Sequence, residues 1–492
     1  MNSAINDFRI ILFDVPSREV NGSIPFGVLA AANIARKAGY PVQVHDLTMN
    51  KLTTEQVIDI TRQYNPALIG FGGITPSYRH LKPLALALKK EFPETPFVAG
   101  GIITSVTDLL LTKAGIDICV RGEADYSFPD LLECLRTGKD FRNVPGISFL
   151  ENGQIIDTPR PTQVKNLDEI GMPPYDMVNI SQYITPTSQW VEAYREFLEM
   201  HWSGKDIEEL AEKYPKIFAM MTSRGCTHAC SFCYRHVKGV RQQSVEFVLN
   251  HMQYLRDAFD INLFYIGDEL TTVTKKWIMH FCAEIKRRNM DIRYVVLSAR
   301  SCNVDEEMLN ALKSSGCLMI NYGYESGSDI VLKGTSKGTT RQDNINAGLL
   351  TLKCGLTNVP EMIIGFPEET DETINDSINF IKQLGVPSFS LNFPIPFPET
   401  PLWDYCMANN LIADKEQFLL NLGNASVLRV NLTKHSDAWL NRSMVRFKRD
   451  VIVSYQWKKG NYLKAILLWL QHTVSMQLSK ELKTKIRVLF RF

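Results

Sequence analysis

No stretch of this 492-residue sequence reaches the roughly 18 uninterrupted apolar residues that a membrane-spanning helix needs. The opening residues, Met1-Asn2-Ser3-Ala4-Ile5-Asn6-Asp7, lack the basic and then apolar pattern of a secretory signal, so a cytoplasmic location is expected. Charge of one sign is not in excess: 54 Lys and Arg face 53 Asp and Glu, and bulk electrostatics does not point to nucleic acid. The dinucleotide fingerprint Gly-x-Gly-x-x-Gly is absent, which leaves a nicotinamide cofactor without support. With 45% hydrophobic and 22% charged residues the chain is neither disordered, collagenous nor disulfide-stapled. Its length predicts two to four domains.

Charge is nevertheless unevenly placed. From residue 441 onward twelve Lys and Arg are opposed only by Asp450 and Glu481, so the tail is strongly basic and the remainder net acidic. Ten cysteines without a secretory signal belong in a reducing compartment, where grouped cysteines bind metal more often than they pair. Seven are scattered (Cys119, Cys134, Cys282, Cys302, Cys317, Cys354 and Cys406) and most read as small buried hydrophobes. The other three are grouped.

Residues 1–140 alternate strand and helix. Short apolar runs at 9–15, 41–46, 67–71, 96–99 and 116–120 are separated by helical patterns at 26–38, 55–64, 81–92, 106–113 and 125–136. Five strands joined by crossover helices predict a doubly wound parallel sheet covered on both faces. Ligands of such sheets bind beyond the carboxyl ends of the strands. Glycines crowd those ends: Gly72 and Gly73, Gly100 and Gly101, and Gly122. They either simply end strands or let a large flat or phosphorylated ligand approach the backbone. Residues 141–215 read as a linker and cover, with a small β excursion at 144–157, proline breaks, and a polar, partly helical stretch at 181–213.

A strand at 217–222 leads into Cys226-x3-Cys230-x2-Cys233, with Phe232 before the last cysteine. Three close thiolates suit iron–sulfur or zinc ligation. A structural zinc site wants a fourth protein ligand, for which His228 is the local candidate. Three cysteines on a four-iron cluster instead leave one iron open to a substrate-like ligand.

This motif resembles that of the radical S-adenosylmethionine (SAM) superfamily, and the sequence after it supports the resemblance. Strand patterns at 263–266, 293–297, 318–322, 360–364 and 389–393 alternate with helices, giving six βα units and a partial barrel over residues 216–405. Barrel sites lie at the strand C-terminal ends. The resemblance implies that Cys226, Cys230 and Cys233 hold a [4Fe-4S] cluster, with no catalytic side chain expected beyond these ligands. It also implies a SAM site. Gly267, Asp268 and Glu269 stand at the acidic motif that takes the methionine amine. Arg300 is aimed at the carboxylate, and Glu325 lies near the ribose. Ile363 and Gly365 touch adenine, with Phe232 beside the cluster. Glu361 replaces the first glycine of the adenine motif, and Glu399 replaces a glycine in a Pro-Phe-Pro-Gly-Thr-Pro segment.

A doubly wound domain ahead of such a barrel resembles the cobalamin-binding branch, and the resemblance covers residues 9–405. It implies a cobalamin site at Gly27, Gly72, Gly73, Ile74, Thr75, Gly100, Gly101, Gly122 and Glu123. Cobalamin-dependent mutases carry Asp-x-His-x-x-Gly after the first strand; here Asp14 is followed by no histidine before Glu19, so no lower histidine ligand is expected from this motif. His45 is read as incidental. The family chemistry implies cleavage of SAM to a 5′-deoxyadenosyl radical, with electrons from a donor such as flavodoxin or ferredoxin, hydrogen abstraction, and methyl delivery from cobalamin. A methyltransferase acting on an unactivated carbon of a small or lipid-like metabolite is expected. The alternative is oxidative cyclisation or rearrangement without methyl transfer. A methylthiotransferase needs a second cysteine trio that Cys119 and Cys134 do not supply, and a non-enzymatic cobalamin sensor would not need the SAM residues. Residues 406–492 are expected to form a basic helical region, either a cap on the barrel or an amphipathic helix on an anionic membrane surface.

Overall fold

The computed structural model describes residues 5–17, 23–235 and 237–475. The front sheet holds β1 (Ile10–Asp14), β2 (Val42–Asp46), β3 (Leu68–Gly72), β4 (Phe97–Gly100) and β5 (Ile118–Val120), all parallel, in the order β2-β1-β3-β4-β5. Alternation within the apolar runs sends their side chains to two cores. Ile11 and Phe13 meet Leu81 and Leu110 on one face, while Ile10 and Leu12 meet Ala32 and Leu131 on the other. Helices α1 (Phe26–Lys37), α2 (Thr54–Tyr64), α3 (Tyr78–Glu91), α4 (Thr107–Lys113) and α5 (Ala124–Thr137) make the crossovers. The start of α2 is fixed by a reciprocal capping box between Thr53 and Gln56. The doubly wound fold is as the sequence predicts.

The front sheet does not end at residue 140. Strands β6 (Ile147–Glu151) and β7 (Gln154–Asp157) form a hairpin that pairs antiparallel with β5, with Ile118 opposite Phe149. It covers an edge that would otherwise expose unpaired backbone groups, so the front unit extends to about residue 158.

The second sheet runs β16-β15-β14-β13-β12-β9-β8. Its parallel strands are β9 (Lys216–Met220), β12 (Leu263–Ile266), β13 (Arg293–Ala299), β14 (Cys317–Glu325), β15 (Pro360–Ile363) and β16 (Ser390–Asn392), and the short β8 (Thr185–Pro186) adds an antiparallel edge. The remaining pair, β10 (Ser223–Cys226) and β11 (Gly239–Gln242), is a separate hairpin. On one face Phe218, Phe264, Val296 and Ile320 pack on α8 (Val245–Phe259), α9 (Lys275–Arg287) and α10 (Glu306–Ser314). On the opposite, inner face Ile217, Leu263, Val295 and Met319 pack against Trp190, Leu198 and Leu210. These last come from α6 (Thr187–Leu198) and α7 (Gly204–Lys213), so the stretch read as a cover closes the inside of the open barrel.

The C-terminal region is helical, as the sequence predicts, and its described part packs on both domains. The chain first leaves the barrel through α13 (Pro401–Ala408) and returns to the front domain. Ile395, Leu419 and Leu422 enter the same core as Phe13 and Leu81. On α14 (Lys415–Leu420), Glu416 accepts from Lys82 at 2.6 Å, Lys113 at 2.7 Å and the Tyr78 hydroxyl at 2.8 Å. These donors hold its carboxyl down at about 2. Then α15 (Asp437–Lys458) packs on the barrel helix α12 (Asp371–Leu384), with the Phe447 and Phe389 rings 5.1 Å apart. Among the described residues α16 (Tyr462–Ser475) adds no side chain to these cores, although Ala465 is buried. The basic positions Lys480, Lys483, Lys485, Arg487 and Arg491 lie outside the described residues.

Candidate active site

The cysteine loop grows out of the end of β9. Gly225 has φ +85°, and a Cβ there would stand 2.3 Å from the Gly239 carbonyl, so the tight β10–β11 hairpin requires glycine. The hairpin pairs Cys226 with Gly239 and closes the loop base. The loop is fastened at its middle, where the Ser231 N–H donates to the Thr335 carbonyl at 2.9 Å and the Leu402 N–H donates to the Ser231 carbonyl at 2.9 Å. Phe232 lies on Phe366 at the end of β15, rings 5.5 Å apart. Cys233 reaches solvent at the loop mouth, but the protein around it and the neighbouring Cys230 and Cys226 push its thiol up to about 11. Among the described residues no group of three His, Cys, Asp or Glu converges as the ligands of a single metal ion would. Three corners of a multi-iron cluster do not require that convergence. His228, the zinc alternative, shares a 2.8 Å hydrogen bond with Thr227.

The two adjacent carboxylates after β12 have different work. Asp268 is buried, and its Oδ1 accepts from the Thr222 N–H at 2.6 Å and the Ser223 N–H at 3.0 Å. Its Oδ2 accepts from the Thr222 hydroxyl at 2.5 Å. Asp268 therefore ties down the backbone just before the cysteine loop, and burial still pushes its carboxyl up to about 6. Glu269 faces a cavity; burial raises its carboxyl while the Gly225 N–H lowers it. The preceding Gly267 N–H bonds the Met220 carbonyl at 2.9 Å.

Arg300 is buried at the end of β13. One guanidinium nitrogen donates to the Lys337 carbonyl, and its Nε has no protein partner. Glu325, at φ +61°, pairs with Lys337 at 2.7 Å, both nearly enclosed. Ile363 ends β15, and Gly365 (φ +110°) has Leu440 of α15 3.1 Å from where a Cβ would stand. Glu361 points from β15 toward Glu325 and Lys337, in register with Gly323 and Ser390. Glu361 is solvent-exposed on the strand, yet the protein ringing it, then the Glu325 charge, pushes its carboxyl up to about 7. The sequence flagged Glu361 only as a departure and did not single out Lys337.

A cavity of about 520 Å³ lies between the two domains. On the front side it is lined by Gly27, Gly72, Gly73, Ile74, Gly100, Gly101, Gly122 and Glu123, and on the barrel side by Ser223, Arg224 and Glu269. Thr75 does not line it; it is buried, its hydroxyl 2.9 Å from that of Ser105. Several of these glycines answer to the protein itself. A Cβ on Gly72 would stand 2.3 Å from Val28, and one on Gly101 (φ +87°) 3.1 Å from the Gly73 carbonyl. Gly27 differs, with nothing within 4 Å of its Cβ position. Glu123 is held by Arg241 of β11 through a two-pronged pair at 2.5 and 2.9 Å, and Asp125 by Arg224 of β10 at 2.6 Å. Front domain and cysteine hairpin are thus cross-braced beside the cavity. Asp14 lines it as well, its carboxyl pushed up to about 7 by burial and then by Asp46. His45 is not among the lining residues.

Comparisons with known proteins agree with this two-domain fold. The Radical SAM superfamily matches residues 220–381, and the B12 binding domain matches residues 21–132. An uncharacterised methyltransferase of Pyrococcus horikoshii is 29% identical over 394 residues, 79% of this chain and 79% of the relative. An anaerobic magnesium-protoporphyrin IX monomethyl ester cyclase of Synechocystis is 24% identical over 392 residues, 76% of this chain and 72% of the relative. Among solved structures, the radical SAM methyltransferase TsrM of Kitasatospora setae, with tryptophan and a SAM analogue bound, superposes with a TM-score of 0.65 at 20% identity, covering 82% of this chain and 77% of that one. The cobalamin-dependent radical enzyme OxsB gives 0.59 at 18% identity, over 87% and 58%.

The residues present fit the groups these domains bind. The unpartnered Nε of Arg300 and the cavity-facing carboxylate of Glu269 offer a cation and an anion to a zwitterion. The open space at Gly27, on the wall of the cavity, admits a flat ligand. Three coupled thiols on one loop suit a cluster.

Proposed function

We propose that this chain, which matches both the Radical SAM superfamily and the B12 binding domain, works with a [4Fe-4S] cluster, SAM and cobalamin as a C-methyltransferase acting on an unactivated carbon of a small, largely apolar molecule. Together these groups supply one-electron cleavage chemistry that removes hydrogen from an unactivated carbon and a methyl group that replaces it; the protein aligns them and excludes water. The observation that carries the reading is the shared cavity: residues assigned to cobalamin and Glu269, assigned to SAM, border one space.

In this reading Cys226, Cys230 and Cys233 hold the cluster. Glu269 orients the methionine amine and Arg300 its carboxylate. Glu325, its charge balanced by Lys337, presents an acceptor to the ribose hydroxyls. Asp268 positions the loop and does not touch SAM. Glu361, inside the barrel, meets the substrate or adenine edge. The methyltransferase relatives support methyl transfer.

The test is anaerobic reconstitution with iron, sulfide and hydroxocobalamin, followed by incubation with SAM and a reductant. Methyl transfer predicts both 5′-deoxyadenosine and cobalamin-dependent S-adenosylhomocysteine. 5′-Deoxyadenosine without S-adenosylhomocysteine would turn the reading to cyclisation or rearrangement.

A further inference from the structure

Among the described residues nothing covers the apolar side of the last described helix. On α16, Leu463 is 73% exposed and Ile466, Leu467 and Leu470 between 38% and 48%. These positions follow the i, i+3, i+4, i+7 spacing of a single helix face. Trp469 extends the face at 46% exposure, and Trp457 and Tyr462 continue it, each 55% exposed and packed edge to face at 5.0 Å. The opposite side is accounted for: Ala465 is fully buried, and Lys464 pairs with Glu196 of α6 at 2.8 Å. A contiguous apolar patch of this kind on a folded surface marks a binding site.

We propose that this face docks on an anionic lipid bilayer. A 14-residue helix spans about 21 Å, short of the ~30 Å hydrocarbon core, and among the described residues no helix is long and apolar enough to cross a membrane. It therefore lies in the interface, where Trp and Tyr sit favourably at the headgroups. Charge chooses the occupant. Lys458 and Lys459 flank the patch at the end of α15, and the segment from residue 441 carries twelve Lys and Arg against two acids. That excess complements anionic headgroups. A second copy would instead bring the two basic segments together, placing like charge against like.

The test is co-sedimentation of the full chain with phosphatidylcholine–phosphatidylglycerol vesicles and with phosphatidylcholine alone. A variant carrying Leu463→Glu, Ile466→Glu and Leu470→Glu is measured in parallel; all three sites are exposed, so its melting temperature and iron content should match the parent. The expected result is salt-sensitive binding to the anionic vesicles, weakened roughly 100-fold in the variant. Failure of the parent chain to sediment with anionic vesicles would overturn the proposal, as would equal binding by the variant. A dimer in light scattering that the variant converts to monomer, without vesicle binding, would overturn it in favour of a second copy.

Discussion

Replacing Asp268 separates a positioning carboxylate from a ligand. Its three hydrogen bonds all go to Thr222 and Ser223. In Asp268→Asn the side-chain oxygen still accepts from both N–H groups, and the Thr222 hydroxyl turns round to accept from the new amide. Asp268→Ala orphans two buried N–H groups at about 1–3 kcal/mol each, so a loss of about 3 kcal/mol is expected at neutral pH. The pH dependence is a second signature. Burial pushes the folded carboxyl up to about 6, against 3.8 for the group free of the fold. The native state therefore binds this proton more tightly than the unfolded state. Its contribution is full below about pH 4 and is lost as pH rises through about 6, a change of about 3 kcal/mol. Asn does not titrate, so it should compare about 3 kcal/mol more favourably with the parent at pH 7 than at pH 4. Urea unfolding across this range, with equilibrium dialysis of SAM, reads both effects. SAM affinity should stay within ~3-fold of the parent in Asp268→Asn and fall ~10-fold or more in Glu269→Gln. Lost SAM affinity in Asp268→Asn with unchanged unfolding would refute the reasoning.

Further outcomes follow from the same site. Alanine at Cys226, Cys230 or Cys233 should abolish 5′-deoxyadenosine formation, and retained formation in Cys230→Ala would remove the cluster assignment. Gly27→Val should lower retained corrin while leaving the thermal midpoint near the parent's, because only open space surrounds it. Gly72→Val should instead destabilise by about 1–3 kcal/mol through overpacking against Val28, which a thermal scan without corrin would detect. Glu361→Gln should remove a titration near pH 7 from the pH profile of SAM cleavage; an unaltered profile would place Glu361 away from the reacting groups.

The parallel strands were legible because burial on both faces writes them as short apolar runs, and each run in the front and barrel sheets became a strand. The β6–β7 hairpin was seen as β structure but not as part of the front sheet, since its pairing with β5 bridges a helix and a loop. The return of residues 395–422 to the front core left no periodic trace. At the site, residue types and strand-end positions were readable, but parity was not. Nothing in Gly267-Asp268-Glu269 says which carboxylate turns inward to Thr222 and which faces the cavity. Thr75 likewise shares its segment with cavity residues but turns to Ser105.

The return of the chain to its first domain bears on the order of synthesis. A ribosome releases the front strands long before Ile395, Leu419 and Leu422, yet those side chains fill part of the front core. The part of the front core that these residues fill is completed only once the last barrel strand and the segment beyond it have emerged. Contacts between residues more than 300 apart then close at once, as the Glu416 pairs with Lys82 and Lys113 do. Such closures are slow for entropic reasons. A first domain whose core is completed by residues beyond the second is expected to mature together with it.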